Sequence, residues 1–164
     1  MFKSSSDYIV HKMVPDREGN YIFLDISIQG YRLTLGSVYG PNKDDPKFYE
    51  HLGNEIQDLG NCSIIIAGDW NLVQNFAKDT KGYLHHNNPK ACEALEQMQN
   101  KYDLVDIWRI MHPNERKFTW HQHTLSKFGR LDYFSVTSDI QSETSNSDIS
   151  YGYKIDHSLT NLFN

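Results

Sequence analysis

Cys62-Ser63-Ile64-Ile65-Ile66-Ala67 is a short, β-branched, almost unbroken apolar run, closed off by Gly60-Asn61 before it and Gly68 after it. A run of this kind reads as a strand buried on both faces, between covering layers. The residues that follow change character at once, because Asp69-Trp70-Asn71 sets an acid and an amide directly beyond the strand. In α/β proteins the loop outside the end of a central strand is where binding and chemistry concentrate.

On the N-terminal side, Asn20 to Ile28 alternates, with Ile22, Leu24, Ile26 and Ile28 on one face and Tyr21, Phe23, Asp25 and Ser27 on the other. That period of two is a strand. Gln29-Gly30 supplies a tight turn and Tyr31 to Tyr39 alternates again, so the pair reads as an antiparallel hairpin that Gly40-Pro41-Asn42 ends. After Pro46, the spacing of Phe48, Leu52, Ile56 and Leu59 predicts a helix ending at Gly60-Asn61, its apolar stripe packed on a sheet.

On the C-terminal side, Asp79 to Asn88 reads as polar loop, and Pro89 opens a helix whose apolar side is Ala91, Leu95 and Met98. Leu104 to Met111 fits a helix or a strand. Phe118 to His123 and Leu131 to Val136 read as strands joined by a turn at Lys127-Phe128-Gly129-Arg130, and Gln141 to Ser150 as loop. Hairpins, a buried central strand and amphipathic helices together predict an α/β fold with helices covering a sheet.

The composition sets the bounds. Of 164 residues, 38% are apolar or aromatic, enough for one core and too little for two, so residues 1–164 are expected to form a single domain. A charged fraction of 23% with a net charge of -5 argues against disorder and against a basic nucleic-acid tail. Apolar runs such as Ile64 to Ala67 fall far short of the roughly 18 to 20 residues that span a bilayer. Met1 to Asp7 has no apolar segment of a secretory signal, so an intracellular site, nuclear or cytoplasmic, is expected, with no membrane partner. Cys62 and Cys92 lack Cys-x-x-Cys spacing and read as reduced thiols. His85-His86 and His121-x-His123 lack suitably spaced Cys or acidic partners, which favours loop and strand-face histidines over zinc ligands. No haem or nucleotide cofactor is expected.

Polar residues cluster at strand ends without a packing reason: Tyr39 with Asn42, Asp69 with Asn71, Asp132, and Asp156 with His157. Singly, each is explained by a turn, a cap or a half-exposed strand position. Together, Tyr39-Gly40-Pro41-Asn42, Gly68-Asp69-Trp70-Asn71, Arg130-Leu131-Asp132-Tyr133-Phe134 and Asp156-His157-Ser158 resemble the exonuclease/endonuclease/phosphatase superfamily in type, order and spacing. Asp16 to Ile22, the Tyr39 motif and Leu104 to Arg109 followed by His112-Pro113 are similar to the apurinic-type endonuclease domain of non-LTR, long-interspersed-element retrotransposons. The resemblance runs over nearly the whole chain.

The resemblance implies a four-layered α/β sandwich of two mixed sheets flanked by helices, and a divalent-metal-dependent endonuclease that nicks DNA phosphodiester bonds. It implies that Asp132 orients His157 against the scissile phosphate, and that Asp69 orients or deprotonates the water. Asn71, Tyr39 and Asn42 would donate to phosphate oxygens, and Arg130 is a further substrate-binding candidate. Asp156 would help hold Mg²⁺, with Mn²⁺ as substitute, since hard oxygen ligands suit hard cations. Either Asp69 or His157 would serve as base.

The sequence departs from that pattern in three places. The strand ending in Asn and the element carrying the metal-binding Glu, which open the family's domain, do not occur, so the expected sandwich is partial and N-terminally truncated. Only seven residues follow His157, and Ile155 stands where the family has Ser. A missing segment or a surrounding polyprotein is therefore expected as partner, and the isolated chain is expected to be feeble as an enzyme. The alternatives are a catalytically inactive remnant that still contacts DNA and a phosphoesterase acting on inositol phosphates or lipids. Arg109, Arg116, Lys117, Lys127 and Arg130 make either a DNA-tracking patch or an ordinary solvated surface, and Trp70 and Trp120 either core or base-stacking groups.

Overall fold

The computed structural model describes residues 8–60, 63–150 and 159–161. Strand β1 (Tyr8–Pro15) pairs antiparallel with β2 (Tyr21–Ile28), and β2 with β3 (Tyr31–Tyr39). The predicted hairpin turn is present: Gln29 and Gly30 both adopt positive φ, 51° and 87°, as a two-residue turn matched to strand twist requires. Helix α1 (Pro46–Leu59) starts on its proline and is closed by Gly60 in the left-handed region at φ 70°. It leads into β4 (Ile64–Asp69), which runs parallel to β3 as a crossover connection demands.

A short helix α2 (Phe76–Asp79) and strand β5 (Thr80–Lys81) precede helix α3 (Pro89–Lys101), so the predicted polar loop from Asp79 begins with ordered elements. Leu104 to Met111 is both of its alternatives in succession, β6 (Leu104–Asp106) and then α4 (Ile107–Met111). The predicted turn at Lys127 to Arg130 is corrected. Strand β7 (Trp120–Gln122) returns through a 3-10 turn into β8 (Lys127–Gly129), and β9 (Asp132–Thr137) joins a different sheet. The predicted loop from Gln141 holds the end of α5 (Ser138–Glu143) and β10 (Asp148–Ser150), which pairs with β11 (Leu159–Asn161).

The main sheet has six strands in the order β1-β2-β3-β4-β9-β6, and the second has three in the order β5-β8-β7. Helices flank the sheets, as expected, although the smaller sheet is antiparallel throughout rather than mixed. One face of the main sheet packs on α1 and α3, where Tyr21, Phe23, Val38, Ile64, Ile66 and Tyr133 meet Leu52, Ile56, Leu95 and Met98. Ile65 points the other way and packs on Ile107 and Val136, so the β4 run is covered on both faces. Burying an Ile or Leu side chain contributes about 1.5–3 kcal/mol, which makes this layer the main source of cohesion. On the opposite face, Tyr8, Val10, Met13 and Ile22 remain exposed along β1 and β2. Among the described residues no helix is long and apolar enough to cross a membrane.

Candidate active site

Three strands end or begin at one edge of the main sheet. Tyr39 is the last residue of β3, Asp69 the last of β4 and Asp132 the first of β9, and in the ladder Tyr39 faces Asp69 and Asp69 faces Asp132. Residues directly opposed on one face stand about 5 Å apart at Cβ, so a phenol and two carboxylates form a row across the rim. The backbone converges tightly behind them. A Cβ on Gly68 would run into the Val38 carbonyl, and one on Gly40 into the Trp70 carbonyl and the Tyr49 hydroxyl. Only glycine admits that approach, and it lets Gly40 N donate to the Asp69 carbonyl oxygen at 2.7 Å.

Trp70 bolts this corner to the core. It is fully buried, stacks on Tyr133 at 5.4 Å, donates its indole N–H to the Tyr133 carbonyl and receives the Tyr49 hydroxyl on its own carbonyl at 2.6 Å. It is therefore core, and the base-stacking alternative does not apply to it. Asn71 next takes the left-handed conformation, φ 51°, its N–H donating to Asp69 Oδ1 at 2.9 Å and its Nδ2 to the Gly40 carbonyl at 2.6 Å. This short turn ties the β4 rim to the end of β3, and the amide keeps a second N–H beyond the Gly40 bond. Asn42 is exposed and lines, with Asn71, Phe76, Tyr83, His86, Trp120 and Leu131, a cleft of about 240 Å³ beside the row.

Arg130 departs from its expected role. It has no exposed surface, and its guanidinium donates through Nε and Nη2 to the two Asp79 oxygens at 2.9 and 3.0 Å, and to Asp106. Arg109 adds a second guanidinium to Asp79, and Arg130 N donates to the Asp79 carbonyl at 2.9 Å. A planar fork held bidentately in the interior is an internal charge clamp rather than a surface contact. Burial works against the Asp79 charge, but the Arg130 and Arg109 guanidiniums outweigh it and hold its carboxyl below the usual range. Burial pushes the Asp106 carboxyl up, against the pull of Arg130. Burial would lower the Arg130 pKa, yet the two carboxylates keep it above the usual guanidinium range.

The rest of the expected basic patch is also spoken for. Arg116 donates to the Thr80 carbonyl, Lys117 pairs with Asp148, and Lys127 sits over the Tyr83 ring at 5.1 Å. Asp156 and His157 lie outside the described residues. Among the described residues no group of three or more His, Cys, Asp and Glu stands together that could hold a metal ion. Asp69 and Asp132 with neighbouring amides do not by themselves fit a tightly held Mg²⁺, which takes near-octahedral oxygen coordination.

Sequence reasoning missed Asp79, Asp106 and Thr119. Asp79 was absorbed into a polar loop, and its partner lies 51 positions away. Thr119 Oγ1 accepts from both Leu131 N and Asp132 N at 3.0 Å, and the one signal available was a hydroxyl residue set between Phe118 and Trp120.

No family model matches the sequence. The uncharacterized 149 kDa protein of transposon TX1 from Xenopus laevis is 25% identical over 155 residues, which span 88% of this chain and 11% of that protein. Among solved structures, an AP endonuclease from Archaeoglobus fulgidus superposes with a TM-score of 0.71 at 18% identity, covering 94% of this chain and 68% of that one. The endonuclease domain of TRAS1, a telomere-specific non-LTR retrotransposon, gives 0.69 at 17% identity, with 96% and 68% covered.

Proposed function

The chain has the exonuclease/endonuclease/phosphatase fold, and from that premise we propose that it is part of a retrotransposon-type DNA endonuclease that hydrolyses phosphodiester bonds. The observation that carries the reading is the row Tyr39, Asp69 and Asp132 at the ends of three adjacent strands, with Asn71 turned back onto Gly40 beside it. A carboxylate, an amide and a phenol converging on one rim supply what phosphate hydrolysis needs: a group to hold water and donors for the developing charge.

In this reading Asp69 holds the attacking water, and Asp132 fixes the ring of His157 against the phosphate. Tyr39, Asn42 and the second N–H of Asn71 donate to phosphate oxygens. The aromatic and amide-lined cleft beside the row accommodates a nucleotide turned out of the stack, with Trp120 and Phe76 as walls. Arg130 serves the interior and leaves phosphate contact to these groups. A bound divalent ion, Mg²⁺ or Mn²⁺, would supply charge for the phosphate oxygens, with Asp156 among its ligands. The described residues alone do not cage one.

Nicking of supercoiled plasmid by the purified chain, with Mg²⁺, Mn²⁺ or chelator and beside Asp132→Asn and His157→Ala, tests the reading. Metal-dependent nicking lost in both variants supports it. A folded chain that binds DNA without nicking it is the inactive remnant. The net charge of -5 counts against strong binding of this kind, which works through Lys and Arg releasing counterions, and contact through a few cations gives only a shallow salt dependence.

A further inference from the structure

We propose that His112 is a pH-sensitive latch: with its ring charged it ties the approach to β10 onto the end of α4, and with its ring neutral it lets that tie go. The ring stands between two acceptors. Its Nδ1 lies 2.8 Å from Glu115 Oε1, and its Nε2 lies 2.8 Å from the Ser147 carbonyl oxygen. Neither an ionised carboxylate nor a carbonyl has a proton to give, so both contacts are hydrogen bonds only when both ring nitrogens carry one. The neutral ring has a single N–H, and whichever nitrogen keeps it, the other turns a lone pair on an oxygen at contact distance. Histidine side chains titrate between about pH 5 and 8, so the tie is present on the acid side of that range and is lost as pH rises through it.

The frame around the ring is set by groups that do not share its proton. His112 closes α4 by donating its backbone N–H to the Trp108 carbonyl at 2.8 Å, and its ring stacks on the buried Trp108 indole at 5.0 Å. Arg109 Nη1 donates to the carbonyls of His112 and Glu115, each at 2.8 Å, and so shapes the turn that brings Glu115 back to the ring. The charged groups around the ring are Arg109 and, across the indole, Arg130 on the α4 side, Glu115 in the turn, and Asp148 at the start of β10, itself paired with Lys117. Beyond the ring, Ser147 has 2% of its surface exposed and leads directly into β10, whose Ile149 is equally buried and which pairs with β11. Loosening at Ser147 is therefore felt at the first of two paired strands.

The experiment follows the full chain by NMR at about pH 5.5 and about pH 8.5, on either side of the histidine range. Ring nitrogen shifts of His112 count its protons. Amide exchange, divided by the intrinsic rate at each pH, gives protection factors at Asp148, Ile149 and Ser150 and, as internal reference, at Leu95 and Met98 in α3. Two protonated ring nitrogens are expected at the lower pH and one at the higher, with protection in β10 falling by about tenfold relative to α3, the worth of one charge-assisted hydrogen bond. Two variants separate the latch from general loosening. In Glu115→Gln the carboxamide N–H donates to a neutral Nδ1, so Nε2 keeps its proton for Ser147 and the pH response of β10 is expected to shrink to within about threefold. His112→Gln carries an amide N–H toward Ser147 at every pH and is expected to remove the response as well. A response in the parent chain that is absent, is shared equally by α3, or survives unchanged in Glu115→Gln overturns the proposal. None of these readouts requires the chain to nick DNA.

Discussion

Arg130 and Asp132 stand two positions apart on one crossing, yet the first is drawn wholly into the interior and the second is set at the rim. Around Arg130, opposite charges interleave: Asp79 and Asp106 on one side, Arg109 reaching in from another. At the rim, Asp69 faces Asp132, two acids opposed in the ladder, an arrangement that destabilises a sheet. The same residue types thus serve two ends. In the interior, charge is matched and spent on holding loops together; at the rim, two acids stand side by side in the ladder.

The largest expected effect is on the matched side. Asp79→Asn leaves Arg130 with Asp106 alone and is expected to lose about 3–5 kcal/mol in urea denaturation. Asp106→Asn, which keeps the bidentate pair, is expected to lose about 1–3 kcal/mol, and a reversed order would break the assignment of Asp79 as the principal partner. On the rim, Asp132→Asn is expected to reduce nicking by roughly a hundredfold or more. Its loss of stability should stay well below that of Asp79→Asn, and an equal loss would show that Asp132 belongs with the structural charges.

Acid titration sharpens the contrast within the network. The depressed Asp79 pKa contributes stability that is fully present above the ordinary value of 3.8 and is lost as pH falls through the lower folded value. The raised Asp106 pKa runs the other way: its contribution is present below 3.8 and is lost as pH rises through the folded value. Urea midpoints at falling pH should therefore decline less steeply in Asp79→Asn than in the parent chain, and more steeply in Asp106→Asn. The smallest effect is at Arg116→Ala, about 0.5–1.5 kcal/mol for one hydrogen bond from an exposed residue. A cost equal to that of Asp79→Asn would erase the distinction between clamp and surface.

The β2–β3 hairpin, α1, β4 and α3 are readable in the sequence because each carries a period or a terminal signal of its own: alternation, a stripe, a proline start, a glycine stop. Lys127 to Gly129 looked like a turn because three residues are too few to show alternation, and its partner is set by the 3-10 turn before it. Tyr39, Asp69 and Asp132 were readable as strand-end polar residues, and their ladder register brings them together. Arg130 was misread because its surroundings come from Asp79 and Asp106, whose pairing across 51 and 24 positions leaves no local trace.

Strand β1 carries a further consequence. Its ladder with β2 slips between Val10 and Lys12, leaving His11 as an extra residue whose ring bonds the Ser27 hydroxyl at 2.7 Å, and it ends on Pro15. A strand arriving from solvent to extend the sheet would meet a template out of step at His11, a cation at Lys12 and a missing N–H at Pro15. The apolar side chains of β1 remain sticky, but the edge itself is a poor seed for fibre growth.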